Sequence, residues 1–212
     1  MNQTMRSSLA IGPLTNLQDA RSSAAVGFDF VSFSLERGSH RMLAGNLIWG
    51  IATWLSGPRI VIELNTFSLD ELATLGETIS VHALSFPLED WSSSAWGRGE
   101  ETLEFSAPEI WLRSEKTISV QDLRNLIDLE QDRGRIVRVL LPGDNVGEQL
   151  HDVAEHIFLH FSSLAFLKDF LTSSTWMPTG FFLGQEAEEE FGLLNYEGID
   201  DLMEVVAARF GE

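Results

Sequence analysis

The chain of 212 residues contains no cysteine. A protein without cysteine forms no disulfide, offers no thiolate to a metal ion and has no thiol to act as nucleophile or base. Any proton transfer that this protein catalyses must therefore use another type of ionisable side chain.

Long apolar runs are also absent. No stretch approaches the about 20 consecutive apolar residues that a membrane-spanning helix needs. The N-terminal segment MNQTMRSSLAIGP lacks the apolar run, about 7–15 residues long, of a secretory signal. Together these absences predict a cytoplasmic protein.

Basic residues are scarce: 14 Lys and Arg stand against 32 Asp and Glu, for a formal net charge of −18. Binding to nucleic acid or to an anionic membrane needs clustered positive charge, and here the few basic residues are scattered. Neither partner is expected. The excess of acid favours solubility, and a local cluster of carboxylates would repel anionic ligands.

Eight short segments rich in Val, Ile and Phe recur along the whole sequence. They span residues 9–12, 28–34, 59–64, 80–86, 109–114, 135–141, 156–161 and 180–184. Runs of this length and composition are typical of strands buried on both faces.

Helix signals lie between these segments. Thr15 is placed to cap a first helix, Ser68 with Glu71 has the spacing of a capping box, and Ser119 precedes a helix that Gly134 ends. Further helical patterns are GEQLHDVAEH, LAFLKDFLTSS and the C-terminal IDDLMEVVAARF. The last has an apolar stripe formed by Ile199, Leu202, Met203, Val206 and Phe210.

Strands alternating with helices predict a parallel sheet, since parallel strands need crossovers of this length. Eight repeats in little more than 200 residues favour an α/β fold, a single-domain (β/α)₈ TIM barrel over residues 1–212, with no Pro/Gly/Ser-rich linker dividing it. An open doubly wound sheet is the alternative, but no Gly-rich phosphate fingerprint follows the first strand. Residues 87–108, with Trp91 and Trp96, read as an elaborated loop that has room for an extra edge strand.

Five short motifs follow one another along the chain: AIGPLTNLQDA, VGFDFVSF, GSHR, RIVIELN and GQEAEEEFGLLNYEGI. In this order they resemble motifs of the phosphoribosylanthranilate isomerase family of tryptophan biosynthesis, which opens with K-I-C-G-x-T-x-x-x-D-A. The matched positions are Gly27, Asp29, Phe33, Ser39, Arg41, Asn65, Glu188, Gly192 and Ile199.

The departures from the family fall on its chemistry. The resemblance implies an Amadori rearrangement of an aminoaldose phosphate, with a cysteine as base and an aspartate as acid. Gly12 stands at the position of the cysteine and Pro142 at that of the aspartate. Neither side chain transfers a proton. Asp144 and Glu63 are the candidate substitutes; as alternatives, Asp144 belongs to a P-G-D-N turn and Glu63 to an ion pair inside the barrel.

The ligand-binding positions implied by the resemblance are also altered. The family's Gly-Gly after strand 7 corresponds to Ser162 and Ser163, and its Ser-Ser-Gly after strand 8 to Gly184, Gln185 and Glu186. Glu188, Glu189 and Glu190 follow closely, and a carboxylate about 4 Å from a phosphate costs about 1–4 kcal/mol. Arg41 matches an arginine that faces the carboxylated half of the family's substrate; it either binds a carboxylate or pairs with a neighbouring acid. Arg113 falls near a family lysine.

No cofactor and no metal ion is expected. His82 and His160 lie on strand-like segments, and His151 and His156 belong to or flank a helix. These histidines show no HExxH pattern and no third ligand at a suitable spacing.

Three interpretations remain. The chain is a catalytically silent relative of the isomerase that binds a small acidic or phosphorylated metabolite or a partner protein. Alternatively it is an active enzyme of altered chemistry on a related acidic sugar or amino acid, such as a sugar-phosphate aldose–ketose isomerase, that uses Arg41 with Glu63 or Asp144. In the third interpretation it is a genuine isomerase of tryptophan biosynthesis, which would require a different alignment of strands 1 and 6.

Overall fold

Eight parallel strands form the centre of this computed structural model. They are β1 (Ser8–Ile11), β2 (Phe30–Ser34), β3 (Arg59–Glu63), β4 (Ala83–Pro87), β5 (Glu109–Arg113), β6 (Ile136–Pro142), β7 (Ile157–His160) and β8 (Gly180–Leu183). They close into a barrel in chain order, with Ser8 opposite Gly180 and Ile11 opposite Leu183 where β1 meets β8. The (β/α)₈ TIM barrel is confirmed, and the open doubly wound sheet is wrong.

The structure describes residues 6–64, 79–94, 97, 107–116, 118–143, 148–184, 187–190 and 193–211. Eight residues singled out from the sequence lie outside these ranges: Asn65, Ser68, Glu71, Trp96, Asp144, Gln185, Glu186 and Gly192. Across the described ranges, no helix is both long and apolar enough to cross a bilayer.

Helices connect the strands on the outside of the barrel. In the described ranges they are α1 (Leu17–Val26), α2 (Gly45–Ala52), α3 (Leu88–Ser93), α4 (Val120–Asp132), a 3₁₀ helix (Glu148–His156), α5 (Leu164–Ser173) and α6 (Tyr196–Phe210). The apolar stripe of α6 faces the core: Ile199, Leu202 and Val206 are buried.

The capping predictions have mixed outcomes. Ser119 caps α4, because its hydroxyl accepts a hydrogen bond from the Asp122 amide at 3.1 Å. The prediction of Thr15 as the cap of α1 is wrong. The cap is Asn16, whose side-chain carbonyl accepts from the Asp19 amide at 2.8 Å. The helix begins one residue later than expected, which moves the capping position from the threonine to the asparagine.

Two apolar layers hold the barrel together. A cluster inside it draws on all eight strands and is centred on Phe30, Trp111 and Phe158, with 4.5 Å between the ring centroids of Trp111 and Phe158. The larger layer lies between the outer face of the strands and the helices. The aromatic plug fills the middle of the barrel, so the polar groups at its two ends form separate sites.

Two connections differ from a simple barrel. Within residues 87–108, Leu88–Ser93 form the short helix α3, whose Trp91 is buried with its indole N–H directed to Glu130 Oε1 at 3.3 Å. Most of the remaining residues of this segment lie outside the described ranges, so the extra edge strand stays a prediction. After β8 the chain forms an antiparallel pair, β9 (Glu188–Glu190) with β10 (Leu193–Leu194), which no sequence signal predicted. This hairpin places Glu188 against the barrel mouth.

Candidate functional site

The C-terminal ends of parallel barrel strands meet at one rim, where enzymes of this architecture hold their substrates. Gly12 directly follows β1, Pro142 is the last residue of β6, and His160 is the last residue of β7. Gly12 donates its amide to Leu183 O at 2.9 Å, which ties it to the end of β8. The two positions that the resemblance assigns to acid and base therefore both lie at the mouth.

Gly12 has no room for a side chain. Its φ is +147°, a backbone conformation that residues with a Cβ rarely adopt. A Cβ built on this backbone would lie 2.1 Å from Ser32 Oγ and 2.8 Å from Ser32 O. The space into which a cysteine at this position would project is filled by the Ser32 hydroxyl.

Ser32 belongs to a buried polar pair. Its hydroxyl donates to Glu63 Oε1 at 2.5 Å, and both side chains are almost completely buried. Burial raises the pKa of the Glu63 carboxyl above its ordinary value, while Arg113 and the Ser32 hydroxyl oppose that rise by stabilising the charged form. Glu63, a candidate substitute from the sequence, is therefore linked through the Ser32 hydroxyl to the position that the resemblance assigns to the base.

Arg113 links Glu63 to a second carboxylate. Its Nη1 donates to Glu63 Oε2 at 2.9 Å, and its Nη2 contacts Glu36 and donates to Leu64 O at 3.3 Å. Although burial alone would lower the pKa of Arg113, the charges of Glu63 and Glu36 raise it. The guanidinium is thus held by two acids, which is the ion pair that the sequence left as the alternative role for Glu63.

Arg41 is also engaged by an acid. The side chain is buried, and its guanidinium makes a bidentate ion pair with Glu188, with 2.5 Å between Nη2 and Oε2. Its Nη1 also donates to Pro13 O at 3.3 Å. The hydrogen bond with Glu188 raises the pKa of Arg41. Both alternatives from the sequence meet in this contact: the arginine binds a carboxylate bidentately, and that carboxylate belongs to the protein.

Only some of the predicted ligand-binding residues that follow strands 7 and 8 lie within the described ranges. The Ser163 hydroxyl caps α5 by accepting from the Phe166 amide at 3.2 Å, so it already has a structural role. Ser162 is exposed beside it, and Gly184 follows β8 and accepts from the Ala187 amide at 3.2 Å. Gln185 and Asp144 lie outside the described residues. Ligand binding by this group stays a prediction.

The buried polar atoms at the mouth that have no hydrogen-bond partner within the described part of the chain include one on β4 and one on β5. These two atoms are Ser85 Oγ and Arg113 Nε. Ser85 pairs in register with Glu63 on β3. Polar groups thus continue across four neighbouring strands, from Ser32 to Arg113.

The histidines do not gather at the mouth. His82 precedes β4 instead of lying on it, and belongs to a cluster at the opposite end of the barrel, 3.6 Å from Glu109 Oε1. Burial lowers the pKa of His82. His156 lies against Val137 O, with 3.0 Å between its Nδ1 and that oxygen. Within the described ranges, no group of three or more metal-ligating side chains comes together.

Sequence reasoning missed Ser32, Glu36 and Ser85. A signal was present for Ser32: the strand FVSFS alternates apolar residues with two serines, and side chains alternate between the faces of a strand. Serines at every second position indicate a polar barrel interior near the end of β2. Glu36 and Ser85 carry no comparable pattern.

No protein-family model matches this sequence, and a search of curated proteins finds no match either. Solved structures do match. A phosphoribosylanthranilate isomerase in complex with reduced 1-(o-carboxyphenylamino)-1-deoxyribulose 5-phosphate has a TM-score of 0.72 at 13% identity, covering 97% of this chain and 100% of that one.

The chain has the fold of phosphoribosylanthranilate isomerase. The enzyme from Thermotoga maritima gives a TM-score of 0.70 at 14% identity, over 95% of this chain and 99% of that one. TrpF from Jonesia denitrificans gives 0.69 at 14% identity, over 96% and 98%. The resemblance inferred from scattered motifs is thus confirmed for the architecture over nearly the whole length.

Proposed function

We propose that this chain is a divergent relative of phosphoribosylanthranilate isomerase that does not catalyse the Amadori rearrangement and instead binds a small carboxylated metabolite at the barrel mouth. The observation that carries the proposal is the contact between Gly12 and Ser32. The rearrangement needs a base and an acid at the substrate. The space for the base is filled by a hydroxyl, and Pro142 offers no proton at the position assigned to the acid.

The contacts of Arg41 support a carboxylate as the chemical group that the ligand presents. Its bidentate contact with Glu188 is the geometry by which a guanidinium recognises a free carboxylate. A ligand carboxylate would exchange with that of Glu188. Glu36 and Glu63 also lie at this end of the barrel. Both form ion pairs with Arg113, and Glu63 also interacts electrostatically with Arg41. The negative charge of these carboxylates disfavours a doubly charged phosphate more than a singly charged carboxylate.

A thermal-shift screen of carboxylated and phosphorylated metabolites tests the proposal. We expect one or more carboxylated compounds to raise the melting temperature, and Arg41→Gln to abolish that rise. Arg59→Gln is the matched control, because Arg59 begins β3 at the opposite end of the barrel. A flat response to every compound, or a shift that survives in Arg41→Gln, would contradict carboxylate binding at this site.

An active isomerase with Glu63 as substitute base is the second candidate. It is favoured by the 2.5 Å contact between Glu63 Oε1 and Ser32 Oγ, which brings a carboxyl group next to the position of the missing base. Burial raises the pKa of Glu63, which suits a general base. Complementation of an isomerase-lacking tryptophan auxotroph distinguishes the two candidates. Growth with the natural chain and none with Glu63→Gln would support the enzyme.

A further inference from the structure

A buried serine hydroxyl near the barrel mouth lacks a partner. Ser85, on β4, is only 1% exposed, yet its Oγ makes no hydrogen bond with any described residue. Burying a hydroxyl without a partner costs free energy, and native proteins rarely do so. Other buried serines are satisfied: Ser32 donates to Glu63, and Ser7, at the opposite end of the barrel, donates to Pro178 O at 2.7 Å. The Ser85 hydroxyl is therefore available to a ligand.

A second buried donor lies on the neighbouring strand. Ser85 pairs in register with Trp111 on β5, whose ring belongs to the cluster inside the barrel. Arg113 comes two residues later on β5, so its side chain leaves the same face of the strand on the mouth side of that cluster. Its Nη1 reaches Glu63 on β3, and the side chain therefore crosses the end of β4. Its Nε is buried and has no partner among the described residues.

Glu63 supplies an acceptor beside these two donors. It pairs in register with Ser85, and adjacent strands lie about 4.8 Å apart. Its Oε1 accepts from Ser32 and its Oε2 from Arg113, but each carboxylate oxygen can accept a further hydrogen bond. We call Ser85, Glu63 and Arg113 the hydroxyl subsite, because two donors with one acceptor complement a hydroxyl group. A hydroxyl also adds no negative charge beside Glu63 and Glu36, whereas a phosphate would.

We infer that the carboxylated ligand also carries a hydroxyl group that binds at the hydroxyl subsite, so that the ligand class is a hydroxylated carboxylate such as a sugar acid. The inference rests on the proposed function, in which Arg41 binds the carboxylate. The ligand hydroxyl accepts hydrogen bonds from Arg113 Nε and Ser85 Oγ and donates one to Glu63. A purely aliphatic carboxylate leaves the two donors unpaired. A site built to bind a hydroxyl discriminates strongly against analogues without it.

Calorimetric titration of the full chain with gluconate and with hexanoate tests this inference. Both compounds have one carboxylate and the same number of carbons, but gluconate has a hydroxyl on every carbon beyond the carboxylate. The comparison therefore does not depend on the distance between Arg41 and the hydroxyl subsite. We expect gluconate to bind about tenfold more tightly or better, and Ser85→Ala to bind the two compounds equally.

The melting temperature without ligand is the second measurement. Ser85→Ala removes a hydroxyl that has no partner among the described residues, so this variant should melt no lower than the natural chain. Ser7→Ala is the matched control, because it removes another buried serine hydroxyl, one that is bonded to Pro178 O. This control should melt lower and should keep the preference for gluconate. Circular dichroism confirms that both variants are folded.

Several outcomes would overturn the inference, and they separate it from the proposed function. Equal binding of gluconate and hexanoate by the natural chain would reject the hydroxyl subsite and leave carboxylate binding intact. So would a preference for gluconate that survives in Ser85→Ala. A lower melting temperature of Ser85→Ala would show that the hydroxyl is already satisfied within the chain. If neither compound binds, or if Arg41→Gln binds both as the natural chain does, the carboxylate site itself is wrong and the inference fails with it.

Discussion

The hydroxyl of Ser32 occupies the direction in which a side chain at Gly12 would project, 2.1 Å from the position of its Cβ. The same hydroxyl donates to Glu63, so the polar interior of β2 and β3 is built around a glycine at the end of β1. Insertion of a catalytic cysteine here would disrupt the Ser32–Glu63 pair. The fold of the isomerase is therefore combined with a mouth that has no room for a side chain at Gly12, the position that the resemblance assigns to the base.

Replacement of Gly12 by alanine should destabilise the protein strongly. The left-handed backbone costs about 1–2 kcal/mol for a residue with a Cβ, and the clash with Ser32 adds about 1–3 kcal/mol. Gly27→Ala is the matched control, because Gly27 also has a positive φ, +101°, but no atom within 4 Å of an added Cβ. Urea denaturation measures both. Equal losses in the two variants would show that Ser32 does not crowd Gly12.

Glu188→Ala should free Arg41 for an added carboxylate. Removal of one partner from this largely buried ion pair costs roughly 3–5 kcal/mol of stability. Acetate at high concentration should restore part of that stability, since a ligand that binds only the folded state raises the melting temperature. The natural chain, whose Arg41 is already paired, should respond less.

The control for this rescue is Glu204→Ala, which removes an exposed carboxylate from α6. Melting temperatures in acetate and in chloride of equal ionic strength separate carboxylate binding from salt screening. Identical responses of the Glu188 and Glu204 variants would contradict a carboxylate site at Arg41.

The buried carboxyl of Glu63 should make stability depend on pH. Its pKa is raised in the folded state, so the folded protein holds this proton more tightly than the unfolded chain does. The resulting stabilisation is complete below the ordinary carboxyl pKa and is lost as pH rises through the folded-state value. Compared with Glu63→Gln, the natural chain should therefore become relatively less stable as pH rises through that range. Glu89→Gln controls for loss of an exposed carboxyl; a stability difference between Glu63→Gln and the natural chain that is constant with pH would count against a raised pKa.

The strands were predictable because each carries a compact apolar run with buried residues on both faces, as in RIVIE of β3. The strand boundaries were less predictable. β4 was predicted from residue 80 and begins at Ala83, although the amide of His82 already donates to Ile60 O on β3 at 2.8 Å. Local periodicity reports which residues are buried, and it does not report where hydrogen bonding between strands begins.

The ion pairs of the mouth could not be derived from local sequence. Arg41 and Glu188 are separated by 147 positions. The hairpin that positions Glu188 has strands of only three and two residues, which are too short for a periodic pattern. The sequence indicated that both residues lie near the mouth only through the family resemblance, and their contact depends on how the loop after β8 folds back over the barrel.

Turnover of phosphoribosylanthranilate by the purified chain tests the central claim most directly, measured against the uncatalysed rate and alongside Glu63→Gln. We expect the substrate to react at its uncatalysed rate in the presence of either protein, because no base stands at Gly12 and no acid at Pro142. Turnover by the natural chain that disappears in Glu63→Gln would contradict the claim and would make Glu63 the base of an active isomerase.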